Sequence, residues 1–201
     1  MTTERGVEYA LRFLRRPDAG CATLFGALPC TWGTPWQRMQ EHLRGTDPKY
    51  RQHMDELYNQ FTKHIQNFVR LGREVVKKGG YIMFEWPAHN RLWREPPVAA
   101  MEREFKMQRV RFEGCSMCLT TLDGTKILKP WALSTKCPKV REKPAQYRCN
   151  GKHEHAKDLS GKDLRNTGFY TPALARLVHE CIQASRLSIR KQGLVVPMVS
   201  A

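Results

Sequence analysis

The sequence predicts an α/β fold in which helices flank a partly parallel sheet. Two short apolar runs, at residues 22–28 and 81–84, have the composition of buried strands. Between them, apolar residues recur at helical spacing from Tyr50 to Val76. Because a strand, a crossover helix and a second strand form a right-handed βαβ unit, we expect the two strands to be parallel neighbours.

The ends of the helices are marked by proline and glycine. A first helix is predicted over residues 3–16, and Pro17 ends it. Asp47 is in the capping position of the long helix, which is predicted over residues 48–78 and ends before two glycines. Alternation and turn signals predict the next elements: a helix at 98–105, a strand at 107–112, a turn at 122–125 and a final strand pair from 127–128 and 131–135.

The C-terminal part of the chain differs in composition. Residues 136–165 are rich in lysine and arginine and poor in apolar residues, which predicts a basic segment that is largely loop. A last helix is predicted to begin at Pro172, with Cys181 on its buried face. We therefore divide the chain into an α/β core at 1–135, a basic Cys/His segment with the last helix packed on that core at 136–188, and a frayed tail at 189–201.

Composition and charge narrow the class of protein. The chain has 201 residues, of which 41% are hydrophobic, enough for one sizeable core. Its formal net charge of +15 favours a polyanionic partner, DNA before RNA, although a basic surface that serves only solubility is the alternative. No apolar run approaches the ~18 residues of a membrane span, and residues 1–16 do not resemble a signal peptide. Because the number of cysteines is odd and no secretory signal is recognised, we expect reduced thiols in an intracellular protein. We expect no membrane contact, and a nuclear location if the source is eukaryotic.

Both predicted parallel strands lead into residues that carry chemistry. Cys30 follows the first strand in a loop at 29–37 that is punctuated by proline and glycine, and Glu85 follows the second strand. Ligands of open α/β sheets bind at the carboxyl ends of strands, so this thiol and carboxylate are a candidate nucleophile and acid. The alternatives are a packing thiol and a solvated or salt-bridged carboxylate. The loop at 89–94 adds arginines, a histidine and a tryptophan, which suit phosphates and stacked bases.

The basic segment contains a candidate metal site. Cys137, Cys149, His153 and His155 occur in the order C-x11-C-x3-H-x-H. Thiolate and imidazole are the ligands that structural zinc prefers, and four of them would complete a tetrahedral site. The spacing matches no standard zinc finger, so the alternative is a mobile basic loop whose histidines contact nucleic acid or nothing.

Four short motifs resemble those of a known family. They are LPCT at 28–31, GGYIMFEWP at 79–87, KP at 129–130 and CNGKHEH at 149–155. In this order they resemble the catalytic half of DNA cytosine-C5 methyltransferases, and more closely the methyltransferase-like domains of some eukaryotic retroelement polyproteins. The resemblance covers residues 22–182 and implies a partial Rossmann-like sheet of the class I methyltransferase type.

The resemblance also assigns roles to individual residues. Cys30 matches the nucleophile that attacks the cytosine ring, and Glu85 matches the carboxyl group that holds and protonates the base. Arg109 and Arg111 match the family's arginine motif, with the spacing compressed by one residue, and join the catalytic set. The expected nucleic-acid contacts around this site are Thr31, Gln37, Trp86, His89, Arg91, Arg94, Lys129 and Lys136.

The chain departs from the family where the cofactor would bind. The family's Pro-Pro-Cys is Leu28-Pro29-Cys30 here, and its Glu-Asn-Val is Glu85-Trp86-Pro87. No glycine-rich strand-to-helix turn precedes Cys30, although the family binds S-adenosylmethionine at such a turn. The resemblance therefore implies a catalytic half without its cofactor half.

Three functions are compatible with these observations. The first, which we expect, is a nucleic-acid-binding, methyltransferase-like remnant of a mobile element that is inactive alone. The second is a DNA (cytosine-5-)-methyltransferase half that uses S-adenosylmethionine and is completed by a second chain. The third is a nucleic-acid-binding module stabilised by zinc.

Overall fold

Four strands and seven α-helices occur in the computed structural model, which describes residues 3–17 and 22–191. They are α1 (Glu4–Arg15), β1 (Thr23–Gly26), α2 (Pro35–Arg44), α3 (Pro48–Lys77), β2 (Tyr81–Pro87), α4 (Pro96–Phe105), β3 (Gln108–Glu113), β4 (Pro130–Thr135), α5 (Pro138–Glu142), α6 (Gly161–Asn166) and α7 (Pro172–Lys191). Short 3-10 turns lie at Thr31–Gly33, Arg91–Arg94, Gly114–Met117 and Pro144–Gln146. No helix in the described ranges is both long and apolar enough to cross a membrane.

The strands form one mixed sheet in the order β1-β2-β4-β3. β1 and β2 are parallel, with Gly26 opposite Phe84, so the predicted βαβ unit with α3 as its crossover is confirmed. β4 is antiparallel to both of its neighbours, β2 and β3. The prediction of an α/β fold is therefore confirmed, with a sheet that is only partly parallel.

Side-chain alternation along β2 builds a separate core on each face of the sheet. Ile82, Phe84 and Trp86 pack with α1, α3 and α4 on one face. Tyr81 and Met83 pack on the other face with side chains from β3, β4 and α7. Helices thus cover both faces, and residues 82 and 84 of β2 are completely buried.

The predicted helix boundaries agree closely with the structure. Thr3 caps α1 by accepting a hydrogen bond from the Gly6 amide, and Asp47 caps α3 by accepting one from the Lys49 amide at 2.9 Å. α3 begins at Pro48 and ends one residue before the predicted end. Cys181 of α7 is fully buried, as predicted.

Three predictions about the strands and loops are wrong. β1 is shorter than predicted and lies at the end of the strand order, so Phe25 is exposed and β1 is no buried central strand. Residues 127–128 form no strand, because Ile127 instead bonds to Leu119 near a tight turn at Gly124. The loop predicted up to residue 37 ends earlier, since Thr34 caps α2 and Pro35 is its first residue.

The basic segment and the tail also differ in part from expectation. α5 and α6 interrupt the segment at 136–165, which is otherwise largely loop. α7 continues to Lys191, beyond the predicted start of the tail at residue 189. The remainder of the predicted tail, residues 192–201, lies outside the described residues.

Candidate functional site

The loop that carries Cys30 is held against β2 and the turn that follows it. The Trp86 indole N–H donates to the Leu28 carbonyl at 2.7 Å, and Asn90 Nδ2 donates to the Cys30 carbonyl at 2.8 Å. Asn90 also accepts from the Leu92 amide, which fixes its orientation. Since β1 and β2 are parallel, these bonds place Cys30 at the same end of the sheet as Glu85, as predicted.

Glu85 is a buried acid with one unused oxygen. It exposes 8% of its surface, and its Oε2 accepts a hydrogen bond of 2.8 Å from the Tyr170 hydroxyl. Its Oε1 is buried and has no hydrogen-bond partner among the described residues. Burial raises the pKa of Glu85 to about 7, against the opposing effects of the Tyr170 bond and the Lys129 charge. The carboxyl group is therefore divided between its acid and ionised forms near neutral pH.

Lys129 and Tyr170 complete a cluster of four titratable side chains, which we call the Glu85 cluster: Cys30, Glu85, Lys129 and Tyr170. Burial and the Glu85 charge raise the pKa of Cys30, and Lys129 opposes this rise. Burial lowers the pKa of Lys129, whose ammonium donates to the Thr167 carbonyl. Burial also raises the pKa of Tyr170, a residue that no sequence signal assigned to the site.

A second feature is an arginine-lined cavity of about 260 Å³, which we call the arginine cavity. Its lining residues come from α2, the loop and 3-10 turn after β2, and strands β3 and β4: Arg38, Ala88, His89, Asn90, Arg91, Trp93, Arg94, Arg109, Arg111 and Ala132. Five of them are arginines and none is acidic. Such a concave concentration of positive charge attracts anions.

Two of the five arginines are already engaged within the protein. Arg91 donates to Glu41 at 2.7 Å, and its guanidinium lies 3.7 Å from the centre of the Trp32 ring. Arg109 donates through Nε to Glu102 at 2.7 Å. These contacts fix the two guanidinium groups at the cavity wall.

The other three arginines are available to a ligand. Arg38, Arg94 and Arg111 are exposed, and their side chains pair with no carboxylate in the part of the chain that the structure describes. His89, also exposed, lies in the same cavity. Guanidinium groups bind phosphate through paired, charge-assisted hydrogen bonds, so the cavity is suited to a phosphate group.

No protein-family model, curated protein or solved structure matches this chain. The fold and the side-chain geometry therefore carry the functional assignment. The resemblance to cytosine-C5 methyltransferases is an inference from sequence motifs alone.

The predicted catalytic arginines do not join the Glu85 cluster. Glu85 lies opposite Leu133, which in turn lies opposite Val110, so these three side chains share one face of the sheet. Arg109 and Arg111 alternate with Val110 and therefore extend from the other face. Asn90 contacts both regions, since it bonds to the Cys30 carbonyl and lines the arginine cavity.

Two predicted nucleic-acid contacts are structural instead. Trp86 exposes 1% of its surface and packs in the core, where its indole N–H is already bonded to the Leu28 carbonyl. Gln37 is buried, and both its backbone carbonyl and its side-chain oxygen accept from the Tyr50 hydroxyl. Neither side chain can reach a nucleic acid without unfolding its surroundings.

The remaining predicted contacts lie in four places. His89, Arg91 and Arg94 line the arginine cavity together. Thr31 is exposed in the turn after Cys30, and Lys129 belongs to the Glu85 cluster instead. Lys136 lies at the opposite end of β2, because its amide bonds to the Ile82 carbonyl near the start of that strand.

Three of the four predicted metal ligands lie together in the structure, and the fourth lies elsewhere. Cys137 is fully buried under α7, where its Sγ lies 3.1 Å from the Ser185 hydroxyl, so its assignment as a ligand is wrong. Cys115 takes its place beside Cys149, His153 and His155. The four ligand atoms all lie within 4.8 Å of one another, and the group could hold a metal ion.

Proposed function

We propose that this chain binds nucleic acid by holding a backbone phosphate in the arginine cavity. The observation that carries the proposal is the convergence of three unpaired guanidinium groups and His89 on one cavity without an acidic wall. Phosphate contacts from arginine supply most of the sequence-independent affinity for nucleic acids. The net charge of +15 gives the rest of the surface the same preference.

The surroundings of the arginine cavity favour a polynucleotide over a free phosphate. Trp36 lies on α2 two residues before Arg38 and exposes 62% of its surface, which makes it available for stacking on a base. Thr31 is exposed in the preceding turn. An exposed aromatic ring and an exposed hydroxyl within seven residues of Arg38 suit a polynucleotide better than a free phosphate, and DNA is the expected partner.

The test compares two substitutions that each remove one exposed positive charge. Arg94→Ala changes the arginine cavity, whereas Arg176→Ala changes α7, which packs on the opposite face of the sheet. Fluorescence anisotropy is measured with labelled single-stranded DNA, duplex DNA and RNA at several salt concentrations. We expect Arg94→Ala to weaken binding and to reduce the slope of log K against log salt by about one.

Arg176→Ala should change the affinity for nucleic acid by less than about twofold, because a phosphate held in the arginine cavity does not contact Arg176. The variant would lose a phosphate contact only if binding were spread over the whole surface. Equal losses in the two variants would mean that the cavity has no special role. Absence of binding at low salt would contradict nucleic-acid binding altogether.

We further propose that the chain is a methyltransferase-like remnant of a mobile element that is inactive alone. The support is the placement of Cys30 and Glu85 at the same end of the sheet, where the nucleophile and the acid of such a site would lie. Inactivity is favoured because burial raises the pKa of Cys30 and so keeps it as the un-ionised thiol, which is a weak nucleophile.

The second candidate function is a methyltransferase half that gains activity with a second chain. The pKa of Glu85, about 7, favours this candidate because a general acid works best when its pKa is near the working pH. Calorimetric titration with S-adenosylmethionine is the first test. Saturable binding followed by Cys30-dependent methyl transfer would establish an enzyme that does not require the missing half. The absence of binding is expected both of a remnant and of a half-enzyme alone, and the two are then separated by whether a partner chain restores cofactor binding.

A further inference from the structure

We infer that Cys115, Cys149, His153 and His155 bind one zinc ion as a closed structural site. Their four ligand atoms lie within 4.8 Å of one another. Two thiolates and two imidazoles are a standard donor set for structural zinc, and they leave no open position for a substrate. The inference does not depend on nucleic-acid binding.

Two distances within the cluster match a tetrahedral site. Cys149 Sγ lies 3.6 Å from His153 Nε2 and 3.4 Å from His155 Nε2. Around tetrahedral zinc, with its usual bond lengths to sulfur and nitrogen, the separation of an S and an N ligand is about 3.6 Å. Cys149 and the two histidines therefore lie at the separations that a zinc ion would require.

Backbone groups around Cys149 are arranged to support a thiolate. The Gly151 amide approaches Cys149 Sγ at 3.4 Å, and a φ of 69° at Gly151 makes this turn possible. The Cys149 amide donates to Glu113 Oε2 at 3.1 Å, which fixes the start of the loop to the end of β3. Such outer contacts orient metal ligands before the ion binds.

The composition of the loop indicates why a metal is needed there. Residues 149–155, CNGKHEH, include no aliphatic or aromatic hydrocarbon side chain that could be buried against the core. Cys115 lies in the turn after β3, so the cluster joins two segments that are distant in sequence. A loop of this kind cannot offset its conformational entropy by apolar burial, whereas four metal bonds can.

The site precedes the segment that reaches the Glu85 cluster. Directly after His155, the Ala156 amide donates to the Lys126 carbonyl at 2.8 Å. Further along, Thr167 accepts from Lys129 and Tyr170 donates to Glu85. The Cys/His cluster therefore lies at the start of the segment that ends with Tyr170 bonded to Glu85.

The experiment measures zinc in the full chain, produced with zinc present and purified in reducing buffer without chelator. We expect one zinc per chain by elemental analysis. Cys115→Ser and His155→Ala should each lower the zinc affinity by at least about tenfold, since each removes a ligand. Cys118→Ser is the matched control: Cys118 is exposed, lies three residues after Cys115 and is outside the cluster, so this variant should keep its zinc.

Cobalt titration of the metal-free wild-type chain keeps the inference testable if a variant does not fold. We expect intense visible bands of tetrahedral cobalt with thiolate charge-transfer bands, all displaced by zinc. The inference would be overturned by a chain that binds neither metal, by weak bands of six-coordinate cobalt, or by a Cys115–Cys149 disulfide that persists in the reducing buffer. A zinc affinity of Cys115→Ser equal to that of wild type, or loss of zinc from Cys118→Ser, would equally overturn it.

Discussion

The Tyr170 hydroxyl donates a hydrogen bond of 2.8 Å to Glu85, which lies 85 positions earlier in the chain. This bond joins the segment before α7 to the centre of the sheet. It also stabilises the ionised form of a carboxyl group whose burial favours the neutral form. The protonation of Glu85 near neutral pH therefore depends on burial first, and also on a contact between distant parts of the sequence.

Tyr170→Phe should raise the pKa of Glu85 further above its usual range. The substitution removes a hydrogen bond that lowers the pKa and leaves the half-buried aromatic ring in place. The measurement is a carboxyl NMR titration of selectively labelled protein. Tyr147→Phe, at an exposed tyrosine, serves as the control and should leave the titration of Glu85 unchanged. An unchanged or lower pKa in Tyr170→Phe would contradict the role assigned to the bond.

Glu85→Gln should remove a pH dependence from the stability of the fold. The folded-state pKa of Glu85, about 7, lies above the ordinary value of 4.5 expected in the unfolded chain. Between these values the unfolded state binds fewer protons than the folded state, so the free energy of unfolding falls as the pH rises. The loss is complete above pH 7 and amounts to about 3 kcal/mol.

Urea unfolding at several pH values tests this expectation. Relative to wild type, Glu85→Gln should be about equally stable below pH 4.5 and more stable above pH 7, because glutamine carries no charge to bury. Glu180→Gln, at an exposed position on α7, is the control. Its free energy of unfolding should change with pH in the same way as that of wild type. If the difference in free energy of unfolding between Glu85→Gln and wild type does not change with pH, then Glu85 does not titrate as assigned.

Cys30 should react more slowly with iodoacetamide than Cys118. Cys30 is half-buried and its pKa is raised, whereas Cys118 is exposed. The thiolate is the reactive form, so a raised pKa and limited access both slow the reaction. Mass spectrometry of timed digests gives the two rates in one sample. Faster alkylation of Cys30 would indicate an activated nucleophile and would favour the enzyme.

Trp86→Phe should destabilise the fold, and Trp36→Ala should weaken nucleic-acid binding. Trp86 exposes 1% of its surface and would lose both volume and its bond to Leu28, which is expected to cost about 2 kcal/mol. Trp36 exposes 62%, so its removal should change stability by less than about 0.5 kcal/mol. Unfolding and anisotropy measurements on both variants check the two roles. Weaker nucleic-acid binding by Trp86→Phe without a loss of stability would instead assign Trp86 to the binding surface.

The sequence predicted those features that depend on neighbouring residues. Asp47 before Pro48 marked the start of α3 within one residue, because capping is a local hydrogen bond. The apolar run of β2 and the crossover helix predicted the parallel pair, and that pair placed Cys30 and Glu85 at one end of the sheet. The edge position of β1 was missed, since composition does not reveal the order of strands.

Only the tertiary structure decided which side chains meet. Tyr170 bonds to Glu85, and Cys115, not Cys137, lies with Cys149 and the two histidines. Because side chains alternate along β3, Arg111 lies on the other face of the sheet from Glu85. The sequence by itself determined the charge, the helix ends and the pieces of each site, because these follow from composition and local bonding. The assembly of the sites depends on packing between segments that are far apart in sequence, where no local pattern fixes the partner.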